Sequence, residues 1–450
     1  MPQMQYGLSS YERAAGDMPS LPVINMYAEE APTESGGIML QSRPALEDRS
    51  ADMGFGPVEQ LFQADLVLGS SLFGVSGGKL YRDGALVGAI DGSGPVSMAG
   101  YENYLFIAAG ASLWGYDGTT LAAITFPDGA SVSKVVIAGS RLVAIRKDTG
   151  KFYWSSPLGT SIDALDFATA ESQPDRLLDE LFIDDMLILF GKETVEFWPN
   201  TSDSDLPFRP LEGRVIEKGI KDTGCATAIG STFAWVTNEN QVCIQSENNT
   251  ISNPGLQDRI EASATCRLFT FLLDGCEFLC LRIDNETHAW NMKTGLWNEL
   301  ESYGQSNWIP QCFAGGVFGS AIDGRTMQWG DGHVDLGGVL ERRFRAGFPL
   351  DSGGVSITNV QLRLNVGQTP FLTGDYLDPQ VEMRVSRDAA QTWGKWKGVS
   401  MGAQGAYRKK VQWRGLGMAS QPAFVAEFRC SDPVPFRCSA VLVNEQYGGR

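Results

Sequence analysis

Ser386, Asp388, Thr392 and Trp393 make the most specific local pattern in this 450-residue chain. The stretch SRDAAQTW fits S-x-D-x-G-x-T-W, the Asp-box, with Ala390 where the pattern has Gly. These residue types suit a hairpin turn rather than a reaction. The Asp388 carboxylate can accept turn amides, the Ser386 and Thr392 hydroxyls can bridge them, and Trp393 can pack across the hairpin. Catalytic chemistry has less to draw on. The two histidines, His288 and His333, occupy ordinary strand or turn positions, which leaves a nucleophilic triad without its base. The 53 Asp and Glu residues leave room for a glycosidase pair, yet carboxylates in such number are mostly surface residues. Cys276-x3-Cys280 with two distant histidines is a poor zinc pattern. No G-x-x-x-x-G-K-[ST] or strand-linked G-x-G-x-x-G offers to cradle a nucleotide. The residues therefore predict no catalytic site, no metal and no cofactor.

The elements around these residues read as strands throughout. Seven stretches repeat one pattern: an apolar strand, a polar or Gly turn, a second strand, then a turn leading to an aromatic. They are 67–84, 104–118, 135–154, 181–198, 228–244, 270–290 and 318–332. The closing aromatics are Tyr81, Trp114, Tyr153, Phe197, Trp290 and Trp329, and the 228–244 copy puts Val242 or Ile244 there. A period of about 40 residues carrying several strands marks propeller blades, whose apolar faces only neighbouring blades can bury. Seven Asp-Gly dipeptides suit tight hairpins, where Gly supplies a positive φ. The pattern predicts an all-β chain: a β-propeller of six or seven blades over 61–338, preceded by an extended N-terminal arm over 1–60. A small antiparallel β-sandwich-like domain follows over 339–450, where 355–366, 379–388, 423–430 and 439–447 alternate with period two. The segment 171–182 reads as one short helical turn, with Ser172 as N-cap and Pro174 early in it. No helix longer than about 12 residues is expected.

Charge is divided along the chain. Net charge is −17, yet 339–450 carries 15 Lys+Arg against 9 Asp+Glu. An acidic body repels nucleic acid, because binding needs cations that neutralise phosphates. It suits a conduit through which DNA slides without sticking, and it also suits plain solubility. Arg408, Lys409 and Lys410 in a row either face an acidic partner or blunt a solvated strand edge. The longest apolar run, 104–114, is too short to span a membrane, and the N-terminus lacks the basic and apolar regions of a signal peptide. The expectation is a chain that stays where it is made, with no membrane partner and its eight cysteines as buried, reduced thiols.

Several pieces, in a fixed order, resemble one family. They are Leu21-Pro22-Val23-Ile24-Asn25-Met26, Gly77-Gly78-Lys79-Leu80-Tyr81, Val96-Ser97-Met98-Ala99 and Glu171-Ser172-Gln173-Pro174-Asp175. Then come Gly191-Lys192-Glu193-Thr194-Val195-Glu196-Phe197-Trp198, Glu217-Lys218-Gly219-Ile220 with Gly224-Cys225, the Asp-box hairpin, and Arg414-Gly415-Leu416-Gly417. Together they resemble the tail-hub, or packaged-DNA-stabilisation, proteins of short-tailed bacteriophages, which are related to tail nozzles. The Ala in the Asp-box and an arm matching only around 21–26 are departures. The resemblance implies a structural virion protein of the tail, assembled in the host cytoplasm. It implies a hexameric ring below the portal and its adaptor, extending the channel for double-stranded DNA and retaining the packaged genome until ejection. Tailspikes or fibres, and a needle or plug, would be further partners. Leu21, Pro22, Asn25, Gln173, Pro174 and Asp175, with Arg408, Lys409 and Lys410, are the interface residues this reading suggests.

The rival from another class is a sialidase-like or carbohydrate-binding propeller, to which the Asp-box points. Such chains usually carry several boxes on the propeller itself, whereas this sequence has one, in its tail domain. A WD-type scaffold is less apt, because the repeated G-H and W-D signatures are missing.

Overall fold

Each of the seven repeats folds into a four-stranded antiparallel blade. The computed structural model describes residues 4–447 apart from 8, 11–19, 33–36, 50, 91–94, 171–174, 202, 351–353, 420 and 422. Blades 1 to 6 span 58–89, 97–124, 132–169, 177–216, 226–250 and 266–299. Blade 7 takes three strands from 310–329 and its outermost, Leu46–Asp48, from near the N-terminus. The first strand of each blade is innermost, and these strands neighbour one another in sequence order until blade 7 meets blade 1. The ring therefore closes with seven blades, and the overlap of chain ends in blade 7 holds it shut.

The repeat aromatics explain why the blades need each other. Tyr81, Trp114, Tyr153, Phe197, Trp290 and Trp329 all lie on third strands. Between blades 4 and 5, Phe197 meets Phe233 at 6.0 Å; between blades 6 and 7, Phe271 meets Trp329 edge-on at 5.8 Å. Such pairs bury large areas that a lone blade would leave wet. Two Asp-Gly pairs close hairpins with positive φ at both residues, Asp83-Gly84 and Asp274-Gly275. Asp128-Gly129 instead makes a short 3₁₀ turn between blades 2 and 3.

The C-terminal part is a sandwich of two sheets. One contains Arg342–Pro349, Ala423–Cys430, Gln380–Ser386 and Lys397–Ser400; the other orders Met26–Glu30, Ile38–Ser42, Arg437–Tyr447, Val355–Leu364 and Val411–Ala419. Between them Met26, Phe344, Ile357, Trp413, Phe428 and Val441 form the core. The first of these sheets does not stop at the sandwich. Val23–Ile24 pairs antiparallel with it at Arg343 and Phe344, and parallel with the outer strand of blade 6 at Glu299, giving one continuous ten-stranded sheet. Propeller and sandwich thus share backbone hydrogen bonds.

Two expectations need correction. The described residues of 1–60 do not form an extended arm, since Val23–Ile24, Met26–Glu30, Ile38–Ser42 and Leu46–Asp48 supply strands to both domains and Val58–Phe62 is the innermost strand of blade 1. Their polar surface misled because their partners lie some 300–400 residues away in sequence. The helical turn over 171–182 is also absent from the described part: Leu177–Ile183 is the innermost strand of blade 4, and 171–174 lie outside the described residues. Among the described residues the one α-helix is Pro254–Ala262, N-capped by the Asn253 side chain, which accepts from the Leu256 amide at 2.9 Å.

Candidate functional site

The Asp-box forms the turn its residues promise. The Ser386 hydroxyl donates to Asp388 Oδ1 at 2.6 Å and accepts from the Ala390 amide at 2.8 Å. The Thr392 amide donates to Asp388 Oδ1 at 2.9 Å and its hydroxyl to Oδ2 at 2.5 Å. These hydrogen bonds hold the Asp388 carboxyl down at about 2. Both carboxylate oxygens of Asp388 accept from within its own turn, which fixes the hairpin. Ala389 and Ala390 both sit at positive φ, 53° and 71°, where a side chain is disfavoured. Ala390→Gly, which restores the pattern's glycine, is expected to stabilise the protein by about 0.5–1 kcal/mol after allowing for glycine's extra freedom when unfolded. A thermal melt checks this, and a lower midpoint would refute it.

Trp393 does more than cap the hairpin. Arg345 and Arg384 lie over its ring at 4.9 and 4.7 Å, and Arg384 and Arg429 over Trp396 at 4.6 and 4.2 Å. Behind this ladder Glu427, fully buried, binds Arg345 at 2.9 Å and also Arg384. Arg387 reaches from the hairpin to the Leu416 carbonyl at 2.7 Å, so the Asp-box and the 414–417 motif meet. No local signal in the sequence pairs these tryptophans with arginines from three other strands.

The family-like pieces in blades 4 and 5 also converge. Asp175 accepts the backbone amides of Lys192, Glu193 and Thr194 at 2.7–3.0 Å, fixing the turn of the 191–198 motif. Ile220 donates to the Gly191 carbonyl at 2.9 Å, and a Cβ at Gly219 would overlap the Lys192 carbonyl. Asp175 therefore works within its own chain; Gln173 and Pro174 lie outside the described residues.

Asn25 and Pro22 are buried too, which corrects their reading as interface residues. Asn25, at φ 55°, donates to the Glu341 carbonyl at 2.8 Å and accepts from Arg43 Nε at 2.9 Å and the Glu301 amide at 3.1 Å. It ties the N-terminal segment to the junction of propeller and sandwich. Leu21 is half-buried against Gly7. Arg408, Lys409 and Lys410 are exposed, ahead of Val411–Ala419, an edge strand, and Lys409 Nζ donates to Ser400 Oγ at 2.5 Å.

Neither histidine is set up as a base for a nucleophile. His288 Nε2 lies 3.0 Å from Glu286 Oε2, which Arg259 also binds at 3.1 Å. His333 is half-buried, and burial lowers its pKa. Six cysteines are buried, Cys266 and Cys276 are half-buried, and all eight are free thiols. At the propeller axis a cavity of about 630 Å³ lies between the innermost strands.

Two family models match the sequence in order along the chain. The model described as bacteriophage P22 Gp10, beta-propeller, matches residues 4–302, and that described as bacteriophage P22 Gp10, beta-sandwich, matches residues 343–445. A curated relative, the tail hub protein gp10 of Salmonella phage P22, is 25% identical over 185 residues, which cover 37% of this chain and 39% of that protein's length. Among solved structures, BBS1N in complex with ARL6DN aligns with 64% of this chain and 98% of its own at 11% identity and TM-score 0.42. YCF48 from Cyanidioschyzon merolae aligns with 63% and 98% at 11% identity and TM-score 0.41. With its propeller and sandwich matched in order across most of its length, the chain belongs to the bacteriophage P22 Gp10 family.

Proposed function

We propose that this chain is a tail hub: a structural, non-enzymatic virion protein that forms a ring below the portal and adaptor. In this reading the ring extends the DNA channel, retains the packaged genome, carries tailspikes or fibres and a needle or plug, and opens at ejection. The observation that carries it is the ordered match of both domains to one phage family. The fold supports a role under mechanical load. Seven blades close on themselves, and a continuous sheet welds the ring to the sandwich, so force on one domain passes to the other through backbone hydrogen bonds. The acidic body supports passage of DNA without specific binding, since it presents few cations to phosphate. The exposed Arg408–Lys410 triplet would serve contacts to an acidic neighbour, in keeping with its charge.

The test is quantitative mass spectrometry of purified DNA-filled virions, counting this chain against the portal protein. About six copies per particle are expected for a cyclic ring of this kind. Absence from virions would overturn the hub reading.

A further inference from the structure

Cys225 and Cys266 meet across the seam between two blades. Cys225 directly precedes the innermost strand of blade 5, Ala226–Ile229, and Cys266 opens that of blade 6, Cys266–Leu273. The Leu268 amide donates to the Gly224 carbonyl at 2.9 Å, which holds the two backbones at the spacing of neighbouring strands, about 5 Å. Across that gap the Cys225 thiol donates to the Cys266 carbonyl at 3.2 Å and also hydrogen-bonds the Cys266 side chain. Both side chains pack into the same apolar core between the blades. Disulfides span Cα separations of roughly 4.4–6.8 Å, so this spacing brings the pair within reach. Among the described residues no other pair is placed this way. Cys276 and Cys280 stand four residues apart on one strand, about 13 Å. Cys312, Cys430 and Cys438 donate to the carbonyls of Val58, Gln380 and Ala440, and Cys243 lies 3.5 Å from Thr250 Oγ1.

The two thiols differ in what reaches them. Cys225 is fully buried, and the hydrogen bond to Cys266, burial, and the carboxylates of Asp222 and Asp179 all raise its pKa. Cys266 is half-buried at the wall of the axial cavity, beside exposed Thr265. A solute entering the cavity therefore meets Cys266 first, with Cys225 behind it. An accessible thiol backed by a second one is the arrangement that thiol–disulfide exchange uses. A virion leaves the reducing cell in which it is made, and disulfides persist outside; in this the inference rests on the tail-hub reading. We propose that Cys225 and Cys266 form a disulfide on oxidation, a covalent staple between blades 5 and 6 that is set once the chain leaves reducing surroundings. The Cys266 thiolate attacks one sulfur of a low-molecular-weight disulfide such as oxidised glutathione and releases one glutathione thiolate. Cys225 then loses its proton and attacks the Cys266 sulfur of the mixed disulfide, releasing the second. The two protein thiols give up two electrons and two protons, which convert the glutathione disulfide into two molecules of glutathione. The staple closes a loop of some 40 residues in the blade whose outermost strand continues the sheet towards the sandwich.

The experiment takes the purified full chain, fully reduced, and equilibrates it with oxidised glutathione at pH 8 without denaturant. Remaining thiols are alkylated and counted by mass spectrometry, and linked peptides are mapped. Six alkylatable thiols are expected against eight in the reduced chain, with one linked peptide joining Cys225 to Cys266. The oxidised chain should melt several degrees above the reduced one, and Cys266→Ser should abolish both the link and the shift. Because Cys225 must ionise to close the bond, linking should quicken by up to about tenfold per pH unit. Eight alkylatable thiols at equilibrium would overturn the proposal. So would glutathione held on Cys266 with no internal link, or a link to any other cysteine. The natural chain carries the main test, so a Cys266→Ser variant that folds poorly does not blunt it. Purified protein serves throughout, so a missing link sinks the staple, whereas absence from virions sinks the hub.

Discussion

Asp335→Ala is expected to destabilise the protein by about 3–5 kcal/mol, the cost of leaving a buried charge without its partner. Arg43 and Asp335 are both almost wholly buried, 2% and 1% exposed, and pair through two contacts at 3.1 and 2.8 Å. Arg43 also donates to Asn25, to the Pro44 carbonyl and to the Glu301 carbonyl, and its guanidinium lies 5.8 Å from the centre of the Trp308 ring. Asp335 accepts the Leu46 amide at 2.8 Å as well. This one ion pair thus joins the strand that closes blade 7, the segment that bridges to the sandwich, and the loop leaving the propeller. Removing the carboxylate strands the guanidinium in a dry site and frees the start of Leu46–Asp48. Denaturant unfolding should show the loss, and hydrogen exchange should show early opening of Leu46–Asp48 and its partner Thr326–Trp329. Replacing both partners with apolar residues, Arg43→Met with Asp335→Leu, is expected to recover much of the stability, because neither charge then needs solvation. A loss below about 1 kcal/mol for Asp335→Ala would mean that the pair does not hold the ring closed.

How far the sequence revealed this structure depended on whether a signal was local. The blades were legible because their aromatics recur on third strands at Tyr81, Trp114, Tyr153, Phe197, Trp290 and Trp329, a periodicity that packing between blades enforces. The sandwich strands Val355–Leu364 and Ala423–Cys430 were legible from alternation. Arg342–Pro349 and Val411–Ala419 were not, because arginines and glycines interrupt the apolar pattern: Arg342 is buried by donating to carbonyls, and Gly415 and Gly417 adopt positive φ. Leu46–Asp48 carries no hint of its role, since its partner strand lies almost 300 residues away. The apolar spacing in Leu177–Ile183 reads equally well as a helical turn, and only closure of the ring makes it a strand. Asn253-Pro254 was a readable helix start that the expectation passed over. Among the site residues, the Asp-box turn followed from its own pattern. Asn25 and Asp175 were marked by resemblance, but their work proved internal, and Glu180 was one carboxylate among 53 with nothing local to single it out.

Glu180→Gln is expected to gain stability over the natural protein as pH rises, with little difference in mild acid. The carboxyl is buried between blades 3 and 4, with neither oxygen hydrogen-bonded. Burial raises its pKa to about 8; Lys134 opposes the shift, and Asp179 adds to it. Below the pKa of the unfolded chain both states hold the proton, so the group makes no pH-dependent contribution. Between about 4.5 and 8 the unfolded chain releases its proton while the folded one keeps it, and each pH unit costs about 1.4 kcal/mol of stability. Above about 8 both states are ionised and the loss levels off, at an order of 3–5 kcal/mol in total. Glutamine has nearly the same shape and cannot ionise, so the difference between the two stability–pH curves isolates this one carboxyl. Denaturant midpoints taken across pH 5 to pH 9 should diverge steadily between the natural protein and the variant. Parallel curves would mean that Glu180 is solvated in the folded state and titrates normally.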